Sequence, residues 1–240
     1  MYRFILALSC FLMMLAAPIS AQDFDRGVAA YNNGDYATAL KEWKPLADAG
    51  NISAQSNLGL MYANGRGVPQ DYKEAAKWYT LAAEQGFANA QLNLGVMYDI
   101  GEGVPQDHEE AIRWYTLAAE QGNGKAQFNL GLMHYEGEAV PQDYKEAAKW
   151  YTLAAEQSHT KAQTKLGEMY VDGNGVPQVY KLAQSYFELA ARQGSALAQF
   201  YLGEMYQTGI GALADNVLAH MWFNLSGANR DSNGAKKREK

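Results

Sequence analysis

The stretch GVPQDYKEAAKWYTLAAEQG at residues 67–86 returns almost unchanged at residues 103–122 and 139–158. Its later part places alanines and aromatic residues at helical spacing, with Asp71 positioned to cap the start of a helix and Gly86 to end it. The same residues repeated at a fixed interval indicate one structural unit written several times. We therefore predict that this stretch forms one helix of a stacked repeat.

The period of the repeat is 36 residues, measured between Leu-Gly pairs that begin at Leu58, Leu94, Leu130, Leu166 and Leu202. Each pair belongs to another helix of the unit, in which the glycine allows a neighbouring helix to approach closely. A loop with glycines and a Val-Pro-Gln-Asp segment separates the two helices. A single unit is too small to bury its own apolar face, so the units must stack. The predicted fold class is an all-α solenoid of antiparallel helix pairs.

Three motifs carry a family resemblance: Ala-x-x-x-Leu-Gly-x-Met-Tyr, Gly-x-Gly-Val-Pro-Gln-Asp and Ala-x-x-Trp-Tyr-x-x-Ala-Ala-x-Gln-Gly. They resemble the Sel1-like repeat family, which is close to the tetratricopeptide repeats, and the resemblance covers residues 54–227. It implies a right-handed superhelical solenoid that acts as an adaptor for peptides or proteins. The family alone does not identify the partner.

The sequence divides into four predicted parts. Residues 1–21 have one arginine, an apolar run and small residues, the pattern of a signal peptide cleaved after Ala21; an uncleaved anchor and lipidation at Cys10 are the alternatives. Residues 22–50 predict an N-terminal capping helical hairpin, residues 51–230 five repeats, and residues 231–240 a basic C-terminal tail. Because a solenoid usually ends in a polar capping helix, we expect a truncated or shortened copy.

Charge and residue types exclude several classes of function. The net charge of −6 gives no reason to expect binding to nucleic acid or to an anionic membrane. Signal cleavage removes the single cysteine and leaves no membrane span, so we predict a periplasmic or secreted protein stabilised by packing alone. The four histidines lack metal-binding spacing: His108, His134, His159 and His220. We predict no metal, no cofactor and no enzymatic activity.

Partner-specific residues should lie where the repeats differ, because the shared residues build the scaffold. By analogy with tetratricopeptide repeats, the first helix of each unit lines a concave face, where we expect an apolar patch, bordering carboxylates and a row of asparagines. The candidate peptide-binding residues are Asn57, Leu92, Asn93, Val96, Phe128, Asn129, Leu132, Tyr135 and Glu168. Two interpretations stay open, since the apolar residues can serve packing alone and the asparagines can bond locally. We hypothesise a guest peptide with apolar anchors and some positive charge.

A second class of function is a cell-wall-associated hydrolase or peptidoglycan-binding protein. The family resemblance suggests this alternative, because some cysteine-rich relatives are linked to β-lactamase activity. Ser158 to Lys161 fits the Ser-x-x-Lys nucleophile motif. However, Ser158 takes the place of a helix-ending glycine, and no Ser-Asp-Asn or Lys-Thr-Gly partner occurs. The sequence therefore favours a non-catalytic, exported adaptor that binds a protein or peptide through its concave face.

Overall fold

A computed structural model of the chain describes the backbone of residues 21–238 and the side chains of residues 23–229. The predicted signal peptide therefore lies almost entirely outside the described residues. Within them the structure has twelve helices and no strand. The helices are α1 Ala21–Asn32, α2 Tyr36–Asp48, α3 Ile52–Asn64, α4 Tyr72–Glu84, α5 Ala88–Ile100, α6 His108–Glu120, α7 Gly124–Glu136, α8 Tyr144–Glu156, α9 Thr160–Asp172, α10 Tyr180–Arg192, α11 Ala196–Thr208 and α12 Asn216–Arg238.

Each helix packs on the next in chain order, from α1 on α2 to α11 on α12. The first helices of the last two repeats, α9 and α11, also touch. This arrangement confirms the predicted all-α solenoid of helix pairs. The hairpin of α1 and α2 precedes the repeats, and residues 231–238 continue α12. None of the described helices has the length and hydrophobicity that crossing a bilayer requires.

The second helix begins at an aspartate cap in four of the five repeats, whereas α10 follows Val179, whose side chain makes no cap bond. The Asp71 carboxylate accepts a hydrogen bond from the backbone N–H of Glu74 at 3.0 Å. Glu74 does not return a bond to Asp71, whose N–H donates to the carbonyl of Tyr62. The Glu74 carboxylate accepts instead from Lys77 at 2.7 Å. The reciprocal bond of a capping box therefore does not form, because the chain before the helix already satisfies the N–H of Asp71.

The glycine of each Leu-Gly pair lies against an aromatic ring of the second helix. A Cβ atom added to Gly131 would stand 2.7 Å from Cδ1 of Tyr151, so no other residue fits there without displacing the ring. The same contact joins Gly59 to Tyr79, Gly95 to Tyr115, Gly167 to Phe187 and Gly203 to Phe223. The close approach predicted for these glycines is confirmed, and it sets how the two helices of a repeat pack.

A buried glutamine in the first helix of each repeat ties that helix to the helices before and after it. The side-chain amide of Gln127 in α7 donates to the carbonyl of Ala119 in α6 at 3.1 Å. Its oxygen accepts from the amide of Gln157, at the end of α8, at 2.8 Å. The same two bonds recur at Gln55, Gln91, Gln163 and Gln199. We call this series the glutamine ladder.

Replacing Gln127 by leucine should lower the free energy of unfolding by about 1–3 kcal/mol, because the amide of Gln157 loses its acceptor and the carbonyl of Ala119 loses one of its two donors. Urea unfolding followed by circular dichroism measures the change. Gln207→Leu, at an exposed position of α11, is the matched control and should shift stability by less than about 0.5 kcal/mol. Equal stability of the two variants would contradict a structural role for the glutamine ladder.

Candidate peptide-binding groove

A groove of about 1230 Å³ crosses the first helices of successive repeats. Residues of α3, α5 and α7 line one part of it, and the turns that lead into α5, α7 and α9 line the rest. Its apolar lining includes Leu60, Leu92, Val96 and Phe128. Leu92 and Val96 share one face of α5 because they are one helical turn apart. The groove includes positions at which the repeats differ in sequence, such as Phe128, whose counterparts are Ser56, Leu92, Thr164 and Phe200.

Six of the nine predicted site residues line this groove: Asn57, Leu92, Asn93, Val96, Phe128 and Asn129. Leu132, Tyr135 and Glu168 are not among its lining residues. The repeat period accounts for the grouping, since equivalent positions of stacked helices lie side by side. Peptide binding by these residues stays a prediction.

Tyr135 and Glu168 belong to a separate cluster further along α7 and α9. The Tyr135 ring meets the Tyr144 ring edge-on, with centroids 5.0 Å apart. The ammonium group of Lys165 lies 5.3 Å from the centroid of Tyr135 and donates a 2.9 Å hydrogen bond to Glu168. The Glu168 carboxylate thus already has a cationic partner. This pairing weakens the hypothesis that Glu168 attracts positive charge on a guest.

The apolar lining is partly core and partly accessible. Leu92 is only 8% exposed and packs with α6 and α7, so it serves packing first. Phe128 is half-buried, and its ring stacks on the imidazole of His159 with centroids 4.7 Å apart. Burial lowers the pKa of His159, and the charges of Lys161 and Lys125 lower it further, so the imidazole is neutral at pH 7. Phe128 and His159 therefore form an uncharged aromatic platform in the groove.

The asparagine row has a local structural task in two repeats. The side chains of Asn93 and Asn129 reach the hydroxyl groups of Tyr79 and Tyr115. Burial raises the pKa of both tyrosines, so the hydroxyls stay protonated and need partners. The local interpretation therefore describes part of what Asn93 and Asn129 do, although both also line the groove.

The next tyrosine of the series has no such partner. The buried hydroxyl of Tyr151 makes no hydrogen bond to any described residue. The position that holds Asn129 in the preceding repeat is occupied by Lys165, which pairs with Glu168. One repeat later the tyrosine becomes Phe187, which has no hydroxyl to satisfy. Loss of the asparagine thus leaves one repeat with an unsatisfied buried group.

The charged residues that line the groove are both basic. Lys125 and Lys161 stand at equivalent positions in the first turns of α7 and α9, and the lining residues include no carboxylate. Neither lysine forms an ion pair within residues 23–229. The N-terminal ends of the two helices add partial positive charge. This end of the groove favours an anion, which is opposite to the positive charge predicted for the guest from the sequence.

Ser158, the residue behind the hydrolase alternative, also lines the groove. Its backbone has φ +62° and its N–H bonds to the carbonyl of Ala155, the geometry that Gly122 and Gly194 adopt at the same place. Its hydroxyl therefore stands at the C-terminal end of α8, where the helix dipole opposes a developing alkoxide. The position of Ser158 follows from how the helix ends.

The comparison with protein families matches five successive segments of the chain to the Sel1 repeat, at residues 52–87, 88–123, 124–159, 160–195 and 196–231. A search of the curated proteins gave no match. The matched segments begin within one residue of each first helix, so the family period coincides with the observed helix pairs.

Solved structures show the same architecture. A protective antigen of uropathogenic Escherichia coli with the SLR fold is 38% identical, with a TM-score of 0.82 over 86% of this chain and 45% of its own. The chain therefore spans less than half of that antigen. A Sel1 repeat protein from Oxalobacter formigenes is 35% identical, with a TM-score of 0.82 over 88% of this chain and 84% of its own. An immunity protein from Pseudomonas aeruginosa, at 18% identity and a TM-score of 0.54 over 86% of this chain and 82% of its own, shares the fold.

Replacing Tyr115 by phenylalanine should lower the free energy of unfolding by about 0.5–1.5 kcal/mol, because Asn129 and Asp99 lose a hydrogen-bond partner. Tyr151→Phe should leave stability unchanged or raise it, because it removes a buried hydroxyl that has no partner. Chemical unfolding of the two variants side by side measures the difference. Equal destabilisation by both would show that Tyr151 has a partner too.

Proposed function

The chain belongs to the Sel1 repeat family, and from this membership we propose that it is an adaptor that holds a peptide segment of another protein. Sel1 repeats generally mediate protein interactions. The single observation that carries the proposal is the groove, with the Phe128 platform on its floor and two lysines without ion-pair partners at its edge. No observation on the described residues favours the hydrolase.

The expected occupant is an extended peptide that carries an apolar side chain next to an acidic one. The apolar side chain would pack on Phe128, whose half-buried ring is held in place by His159 and Tyr151. The acidic side chain would lie near Lys125 and Lys161, which have no carboxylate of their own among the groove residues. The amides of Asn93 and Asn129 supply donors and acceptors for the backbone of an extended peptide.

Export is part of the proposal and rests on residues 1–21 of the sequence, whose pattern is that of a secretory signal. An adaptor exported in this way would meet its partner in the periplasm or outside the cell. The lack of cysteine after residue 21 means that the groove does not depend on disulfide formation in that compartment.

Selection of displayed random peptides on the purified chain tests the proposal. We expect the selected peptides to combine an apolar with an acidic residue and to bind more weakly at high salt. Phe128→Thr introduces the residue that the next repeat carries at this position, Thr164. This variant should weaken binding of a selected peptide by about tenfold or more. Isothermal titration calorimetry measures the affinities.

The double variant Lys125→Asn, Lys161→Asn should also weaken binding of the selected peptide by about tenfold, because it removes both positive charges. Asparagine is the natural residue at this position one repeat earlier, as Asn89. The double variant Lys41→Asn, Lys145→Asn, at exposed positions of α2 and α8 outside the groove, is the charge-matched control and should have no effect. Circular dichroism checks that each variant is folded. Peptides without acidic residues, or binding that these groove variants leave intact, would contradict the proposal.

A further inference from the structure

Three side chains that are far apart in the sequence meet beside the groove-forming helices. Asp99 lies near the end of α5, His108 begins α6, and Glu138 lies in the loop between α7 and α8. One carboxylate oxygen of each acid and a ring nitrogen of His108 all lie within 4.8 Å of one another. Oδ1 of Asp99 is 3.0 Å from Nδ1 of His108. These three residues form what we call the Asp-His-Glu cluster.

The repeat scaffold does not require any of the three residues. The counterparts of Asp99 in the other repeats are Ala63, Tyr135, Val171 and Gln207; those of His108 are Tyr72, Tyr144, Tyr180 and Asn216; those of Glu138 are Arg66, Glu102, Asn174 and Ile210. Each of these other residues is compatible with the same helix pair. Stacking of the repeats therefore does not explain why these three unusual residues meet at one point.

The charges of the cluster are uncompensated. Among residues 23–229, no lysine or arginine pairs with Asp99 or Glu138. The second oxygen of Asp99 lies 3.3 Å from the hydroxyl of Tyr115, which donates to it. Two carboxylates and an imidazole without a cation attract a positive ion.

We propose that Asp99, His108 and Glu138 bind a divalent transition-metal ion, with Zn²⁺ as the expected ion. One imidazole nitrogen and two carboxylate oxygens make a three-ligand set that zinc accepts, with a fourth position left for water. The imidazole disfavours Mg²⁺ and Ca²⁺, which take oxygen ligands. The Tyr115 hydroxyl acts as the outer partner that holds a ligating carboxylate in orientation.

The ion would join two neighbouring repeats. Asp99 and His108 belong to the repeat of α5 and α6, whereas Glu138 belongs to the loop of the next repeat. A bound ion therefore holds that loop against the turn before it and stabilises the stacking of the two repeats. This site does not depend on peptide binding in the groove.

The test uses the purified chain after treatment with a chelator. Isothermal titration with ZnCl₂ should show one ion per chain, and Zn²⁺ should raise the melting temperature, because a ligand that binds only the folded state stabilises it. His108→Tyr and Asp99→Ala should each weaken Zn²⁺ binding by at least about tenfold and abolish the shift in melting temperature. Both variants introduce residues that other repeats carry at these positions, so we expect the fold to persist. Circular dichroism verifies that each variant is folded.

Glu138→Arg, which introduces the residue found at Arg66, should weaken Zn²⁺ binding as the other two variants do, and Glu102→Arg is its matched control. Glu102 is the counterpart of Glu138 one repeat earlier, where Ala63 and Tyr72 replace the aspartate and the histidine, so this variant should leave Zn²⁺ affinity unchanged. Absence of Zn²⁺ binding, or binding that His108→Tyr and Asp99→Ala leave intact, would overturn the proposal. Equal competition by Ca²⁺ would show that the ion class is wrong.

Discussion

The structure depends on a buried amide that can be satisfied only by three helices at once. Gln127 bonds to a carbonyl of the preceding helix and to the terminal glutamine of the following one. Such a group is costly to bury without both partners, so each repeat needs the repeat before it. The glutamine ladder therefore ties each repeat to the helix before it, while the contact between a glycine and an aromatic ring sets the packing within each pair.

A scaffold held by so few positions leaves the others free to differ, and both proposed sites use that freedom. Phe128, Lys125 and Lys161 lie in the groove at positions where other repeats carry other residues. Asp99 and His108 depart from the pattern at the opposite end of α5, near the turn into α6. The stack brings variable residues of neighbouring repeats side by side. A site can therefore combine side chains that no single repeat contains.

The asparagine row shows how scaffold and surface share a residue. Asn93 and Asn129 satisfy buried tyrosine hydroxyls and also line the groove. Where the chain changes the asparagine to Lys165, the lysine turns to Glu168 and the hydroxyl of Tyr151 is left without a partner. Replacing this groove-lining asparagine therefore leaves a buried hydroxyl without a partner. This cost limits which residues the position can take.

The sequence by itself determined the helices, their period, the helix caps and the close glycine contacts, because these follow from local spacing and from identical residues in identical places. It also predicted six residues that the groove brings together. Only the tertiary structure decided that Lys165 neutralises Glu168, that the groove carries lysines without carboxylates, and that Asp99, His108 and Glu138 meet. These facts depend on distances between side chains of different helices, which the stacking of the repeats sets and which no spacing along the chain encodes.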